Sequence, residues 1–325
     1  TRRRGDGMRR GSKVKQARRQ AARPKPEARL PRGLVLMAVL GLIGVLAAAA
    51  LLWRSSGDET AFRSLAPEDP GPVHVHGLGV NPADGTLFIA THTGLYRVEE
   101  GERKAERVGE LYQDTMGFTI VGPNRFLGSG HPDINEARKE NLPPHLGLIE
   151  STDAGESWEN VSLLGEADFH VLRFAGERVY GYDSSNDRLL VSADRGRRWT
   201  ELRKPGPLVD LAVDPGNARR IVATSAGGLE EGLFESLDGG VSWARVSEAV
   251  GLLAWPTREQ LYLIAGGGQV FRSRDGGHSL EHLGEIGGQP GALLAQEADE
   301  LYVALHDGTI KRSADGATWA VRSTP

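Results

Sequence analysis

The sequence predicts an all-β protein, a six-bladed β-propeller with Asp-closed hairpins, preceded by one transmembrane helix. Three observations carry this. The pattern Ser-x-Asp-x-Gly-x-x-Trp occurs at 151–158, 192–199 and 236–243. Two degraded copies follow: 273–280, with Leu280 in place of Trp, and 313–319, one residue short. Their aspartates (Asp153, Asp194, Asp238, Asp275 and Asp315) lie 41, 44, 37 and 40 residues apart. A period near 40 with short β-type runs between copies means about one blade per repeat. Third, Leu34 to Trp53 is an uncharged apolar run of twenty residues, which at about 1.5 Å each spans a hydrocarbon layer.

From the start of the chain, residues 1–33 hold 13 Lys+Arg against Asp6 and Glu27. The remainder holds 26 basic and 41 acidic residues, so a net charge of −4 conceals a polarised molecule. Pro24, Pro26 and the absence of apolar periodicity make 1–33 a disordered basic tail. Such a cluster beside a membrane segment meets anionic lipid rather than nucleic acid. The positive-inside rule places this tail in the cytoplasm and everything after residue 53 on the extracytoplasmic side of a single-pass cell-membrane protein. Cleavage of a signal peptide near Ala48-Ala49-Ala50 is the alternative, and would give a secreted protein. Residues 54–72, with three prolines and a Ser-Ser-Gly, read as a stalk. There is no cysteine, which excludes thiolate metal sites and Cys nucleophiles.

Residues 73–325 divide into six units. Each opens on a β-type run, such as His76–Val80, Gly117–Val121, His170–Phe174 and Val209–Val213. A second run follows after turns such as Asn81-Pro82-Ala83-Asp84-Gly85. The first unit lacks the Asp pattern, and Glu100 falls where Asp is expected. Within a copy, the Asp accepts N–H bonds of its own turn, the Gly supplies positive φ, and Trp158, Trp199, Trp243 and Trp319 pack back on the blade.

These copies resemble the Asp-box, or BNR, repeat of sialidases and sortilin-like receptors. The resemblance covers residues 73–325 and implies a fold, because the box is a structural device. The strings Val73–Leu78, Asp114–Phe118, Ser129–Asp133 and Asp168–Val171 further resemble a bacterial subgroup of such propellers classed as glycosyl hydrolases.

Antiparallel strand order assigns residues to faces. Starts of first strands and ends of second strands share one face, and the box turns occupy the other. His74, His76 and His170 fall at the first kind of position. His92, His131 and His306 fall at the second, and His145 ends the long loop 128–147. The expectation is a channel-mouth group of His74, His76, His92, His131 and His170, with Asp114 and Met116 close by. Imidazoles suit Zn²⁺ or Cu²⁺, and a thioether tilts toward copper. Loop hydrogen bonding is the structural alternative for each histidine.

A sialidase resemblance implies an arginine cluster and a Tyr/Glu pair. The usual Arg-Ile-Pro start is absent, and arginine is scarce on this face. Another glycosidase would need two carboxyl groups about 5–10 Å apart. Asp114, Asp133, Asp168 and Asp183 lie on the same face with Tyr182, and no pair among them stands out. Three functions remain open: binding of a metal ion, glycan or protein at the His-rich face, glycoside hydrolysis, and an assembly scaffold.

Overall fold

A computed structural model describes residues 71–325. The basic tail, the apolar run 34–53 and nearly all of the stalk lie outside the described residues. Among the described residues no helix is long and apolar enough to cross a membrane.

Six four-stranded antiparallel sheets make six blades, each with its strands in chain order. Blade 1 comprises β1 (Val75–Val80), β2 (Leu87–Thr91), β3 (Gly94–Val98) and the short β4 (Glu106–Arg107). Blade 2 comprises β5 (Asp114–Gly122), β6 (Arg125–His131), β7 (Leu148–Ser151) and β8 (Glu159–Ser162), with helix α1 (Ile134–Glu140) between β6 and β7. Blade 3 comprises β9 (Phe169–Ala175), β10 (Arg178–Asp183), β11 (Arg188–Ser192) and β12 (Thr200–Leu202). Blades 4, 5 and 6 open on β13 (Leu208–Val213), β17 (Gly251–Thr257) and β21 (Pro290–Glu297), and the last blade ends on β24 (Ala320–Ser323).

The core is six separate apolar layers, one at each seam between neighbouring blades. At the seam of blades 2 and 3, Leu127 and Leu148 meet Phe169, Leu172 and Leu190. At the seam of blades 6 and 1, Ala292, Tyr302 and Ile310 meet Val75, Ile89 and Tyr96. Second strands are the most buried of each blade, and Leu87–Thr91 and Ile221–Ser225 are buried at every residue. A strand sandwiched between two blades has apolar surroundings on both faces, so its sequence runs continuously apolar rather than alternating.

The Asp turns sit between the third and fourth strands. Asp153 accepts from the Ser157 N–H at 2.9 Å and the Ser157 hydroxyl at 2.5 Å, and Ser151 Oγ accepts from the Gly155 N–H at 2.8 Å. The same bonds recur around Asp238 and Asp275. The tryptophans correct one expectation: they pack on the seam with the preceding blade, not only on their own. Trp199 of blade 3 lies 4.9 Å from the Phe169 ring, joins the seam with Leu127 and Leu148, and donates to Ser162 Oγ of blade 2 at 3.0 Å. Trp158 joins the seam of blades 1 and 2 in the same way. The glycine of the turn follows the same logic: Gly196 has φ +82°, and a Cβ there would overlap Leu148 of the preceding blade.

Among the described residues the ring closes without a shared strand. Thr324 forms a parallel bridge with Lys104, Ser323 Oγ donates to the Arg103 carbonyl at 2.8 Å, and Arg322 donates to the carbonyls of Glu99 and Glu102. Helix α1 was unforeseen within the long loop. Its signal was present as Asp133-x-x-Glu136, an N-cap followed by an acidic first turn.

Candidate functional site

The first strands line the central channel, and their early residues meet at one mouth. The turn Thr91–Gly94 presents His92: Thr91 Oγ1 donates to the Gly94 carbonyl at 2.8 Å and accepts from the Thr93 N–H at 3.1 Å. His92 thereby stands over β1, its ring 4.3 Å from that of His76 and 5.6 Å from that of His74. The next blade supplies Asp114 at the start of β5, paired in register with His131 at the end of β6. His92 Nδ1–H donates to Asp114 Oδ1 at 2.8 Å. One donor atom from each of His76, His92 and Asp114 lies within 4.8 Å of the other two.

His76 Nε2 is buried and has no hydrogen-bond partner. Burial, followed by the charges of His92, His170, His74 and His306, lowers the His76 pKa from 6.5 to about 4. Its imidazole is therefore neutral near pH 7, the state in which it ligates a metal. Burial also raises Asp114 above the ordinary carboxylate value, against the opposing pull of His92 and His131.

Blade 3 brings Asp168 to the same mouth. Its backbone N–H donates to Asp183 Oδ1 at 3.1 Å, which holds the start of β9 against the end of β10. Its side chain is buried, and Oδ2 accepts from His170 Nε2 at 3.0 Å and lies 3.7 Å from His131 Nε2. Burial pushes this carboxyl up, but the His170 hydrogen bond and the charges of His170, His131 and His145 outweigh it, leaving the pKa below the usual value. His131 Nδ1–H donates to the Pro144 carbonyl at 2.8 Å, and its ring is 5.5 Å from His145.

Below the mouth is a channel cavity of about 130 Å³ lined by His76, Met116, His170, Arg173 and Asp210 among others. Met116 thus faces the channel rather than the His92–Asp114 pair. The Arg173–Asp210 pair was missed in the sequence. Asp210 is fully buried, accepts from Arg173 at 2.5 Å and from the N–H groups of Leu211 and Leu253, and ties three blades together. The legible signal was a charged residue inside the apolar run Leu208–Val213.

The remaining predicted residues have their polar atoms engaged elsewhere. Asp133 caps α1, accepting from the N–H groups of Asn135 and Glu136, and from that of Tyr112. Asp183 is buried and accepts from Arg188 at 2.7 Å and Asn186 at 2.9 Å. Tyr182 donates to Asp187 at 2.7 Å, and burial with that bond pushes its pKa up to about 12. His278 pairs with Glu235 and His282 packs on Phe271, both away from the mouth.

No protein-family profile matches the chain. The chain is 25% identical over 217 residues to DNA mismatch repair protein MutS 1 of Halobacterium salinarum, covering 63% of this chain and 24% of that protein. It is 32% identical over 105 residues to a xyloglucanase of Hypocrea jecorina, covering 28% of this chain and 12% of that enzyme. The matches thus span a quarter or less of these curated relatives. Among solved structures, it superposes on the GH74 xyloglucanase of Xanthomonas campestris with a TM-score of 0.51 at 18% identity, covering 77% of this chain and 38% of that one. It superposes on YCF48 bound to D1 peptide with a TM-score of 0.50 at 16% identity, covering 78% and 82%. At these identities the likeness is one of propeller fold.

Proposed function

We propose that the protein is a membrane-tethered Asp-box propeller that binds a divalent transition-metal ion at its His-rich channel mouth, through His76, His92 and Asp114. One observation carries this reading: three donor atoms from two blades gather within 4.8 Å, and one of them, His76 Nε2, is buried without a partner. A buried acceptor left unpaired costs about 1–3 kcal/mol, and a ligated ion would satisfy it. The 2.8 Å contact between His92 and Asp114 already brings two of the three donors together across neighbouring blades. Two imidazoles and a carboxylate suit Zn²⁺ or Cu²⁺ rather than Mg²⁺ or Ca²⁺, which favour all-oxygen sites. The uncharged run 34–53 behind a basic lead supports the tether and an extracytoplasmic propeller.

Elemental analysis of the untagged full-length protein tests the site. About one Zn or Cu per chain, lost in His92→Ala, is the expected result. Wild-type protein without metal after incubation and dialysis would refute it. Resistance of the protein to extraction from membranes by alkaline carbonate checks the tether.

A second reading, glycoside hydrolysis, is favoured by Asp114 and Asp168. Their environments displace them in opposite directions, Asp114 upward and Asp168 downward, as an acid and its ionised partner require. Turnover of an aryl glycoside or xyloglucan that Asp114→Asn abolishes would establish it. Its absence across such substrates leaves the binding reading.

A further inference from the structure

Blades 5 and 6 share one frame, and the charge on that frame reverses between them. In blade 5, Thr257 at the end of β17 pairs with Gln260 at the start of β18 (Gln260–Ala265). Tyr262 of β18 pairs with Arg272 of β19 (Gln269–Ser273). In blade 6 the same register joins Glu297 to Glu300 and Tyr302 to Arg312. Blade 6 thus carries Glu297, Ala298, Asp299 and Glu300 in its hairpin and Ala314 in its Asp turn, and Glu300 closes on Arg312 at 2.7 Å. Blade 5 carries Thr257, Arg258, Glu259, Gln260 and Arg274 at those positions. The neutral Gln260 gives Arg272 no counter-charge where Glu300 gives one to Arg312.

The blade 5 residues line a cleft of about 510 Å³, formed by Thr257, Arg258, Glu259, Gln260, Arg272 and Arg274. Three guanidinium groups stand there against one lining carboxylate. Arg272 donates to Glu281 at 2.8 Å, and Glu281 also feels the charge of Arg274. Arg274 is exposed and forms no hydrogen bond or ion pair among the described residues. Arg258 is exposed and donates to the Gly216 carbonyl of blade 4 at 2.7 Å, a contact that orients its guanidinium without neutralising it. Gly216 leaves room for this, since a Cβ there would overlap that guanidinium.

The lining selects a class of ligand. Guanidinium groups pair bidentately with phosphate. A phosphate monoester carries a charge of about −1.5 to −2 at pH 7, which matches an excess of two cations in the lining. The cleft falls within the range of small-molecule sites, about 300–1,000 Å³, and the five heavy atoms of phosphate fill only a small part of it. What remains is polar: the Thr257 hydroxyl, the Glu259 carboxylate and the Gln260 amide can hydrogen-bond to hydroxyl groups. No aromatic side chain lines the cleft among the described residues, so a nucleobase has no ring to stack on.

We infer that the blade 5 cleft binds a phosphorylated sugar, with its phosphate held by Arg258, Arg272 and Arg274 and its hydroxyls by Thr257, Glu259 and Gln260. The site lies at the strand ends opposite the channel mouth and is independent of the proposed metal site. Blade 6 is the internal contrast, because the same backbone there presents an acidic surface.

Calorimetric titration of the full-length protein in non-ionic detergent tests this, with EDTA present so that no metal-bound phosphate contributes. The probes are glucose 1-phosphate, glucose 6-phosphate, glucose and inorganic phosphate. The expected result is that a sugar phosphate binds, glucose does not, and inorganic phosphate binds about tenfold more weakly or worse. Arg274→Ala, which has no protein partner to lose, should weaken sugar phosphate binding by about tenfold. Gln260→Glu, which copies blade 6, should weaken it in the same sense by supplying Arg272 with an internal carboxylate. Binding that survives unchanged in both variants would overturn the site, as would failure of both sugar phosphates to bind the wild type. Inorganic phosphate binding as tightly as either sugar phosphate would overturn the sugar assignment and leave a simple anion site.

Discussion

His92 shows how much a single side chain depends on its neighbours. It follows a threonine whose hydroxyl shapes the turn, and it reaches a carboxylate on the next blade. Asp114 Oδ1 accepts from His92 Nδ1–H, and both residues are donors of the proposed metal site. Removing this carboxylate is expected to weaken metal binding by about 10–100-fold, the scale known for a histidine's carboxylate partner. Asp114→Asn should therefore raise the zinc dissociation constant by about that factor, as measured by calorimetric titration, while the thermal midpoint changes little. Asp183 is the contrasting case. Its carboxylate is buried and holds Arg188, Asn186 and the Asp168 N–H. Breaking a buried pair on one side leaves unsatisfied partners. Asp183→Ala should cost about 3 kcal/mol in urea unfolding, because both the ion pair and the N–H bond are lost. A stability loss below about 1 kcal/mol would contradict the latch assigned to it.

At the scale of the element, the Asp turn is a small electrostatic device. Asp194 is held at about 2, first by the Arg198 side chain, then by the Arg198 N–H and the Ser192 hydroxyl. For Asp275 burial raises the pKa, but the Ser279 hydroxyl and N–H outweigh it and bring it to about 2. Asp238, Asp153 and Asp315 are lowered in the same sense. A carboxylate whose folded pKa is depressed adds stability above its unfolded pKa of about 3.8, and that stability is lost as pH falls through the folded value. The thermal midpoint should hold steady down to about pH 4 and fall between about pH 4 and 2. Asp194→Asn should flatten that fall, which circular dichroism melts across the range would reveal. A midpoint independent of pH in this window would show that the turns do not depend on ionised aspartate. The helix α1 is legible at the same scale, since a cap and an acidic first turn mark its start. It was missed because seven residues are too few to show apolar periodicity.

Across the whole molecule, stability comes from six seams, and a ring is only as closed as its last one. Blade 6 is tied to blade 1 by the apolar layer around Tyr302 and Tyr96 and by the bonds of residues 322–324. Among the described residues no strand is exchanged across the closure. Deleting residues 320–325 removes β24 and the Thr324–Lys104 bridge together. The expected result is a lower urea midpoint, with faster hydrogen exchange concentrated in blades 1 and 6. Uniform exchange across all six blades would instead mean that closure rests on the apolar layer alone. The proposed metal site belongs to this scale too, because its donors come from two neighbouring blades.

The repeat alone determined the six blades, since the spacing of five aspartates and the turn residues between runs are local facts written along the chain. The placement of His74, His76, His92, His131, His145, His170 and His306 on one face was also legible, because antiparallel strands alternate direction and their ends can be counted. Only the tertiary structure decided which of these side chains converge. Strand counting places a residue at a rim without giving its rotamer or the gap to the next blade. It could not separate Asp114 and Asp168, which meet histidines, from Asp133 and Asp183, which are consumed by a helix cap and a strand latch. It could not send the box tryptophans to the neighbouring seam, nor find Arg173 and Asp210 paired across blades inside the channel. Those outcomes depend on contacts between residues about 40 apart in sequence, and such contacts exist only once the blades are packed into a ring.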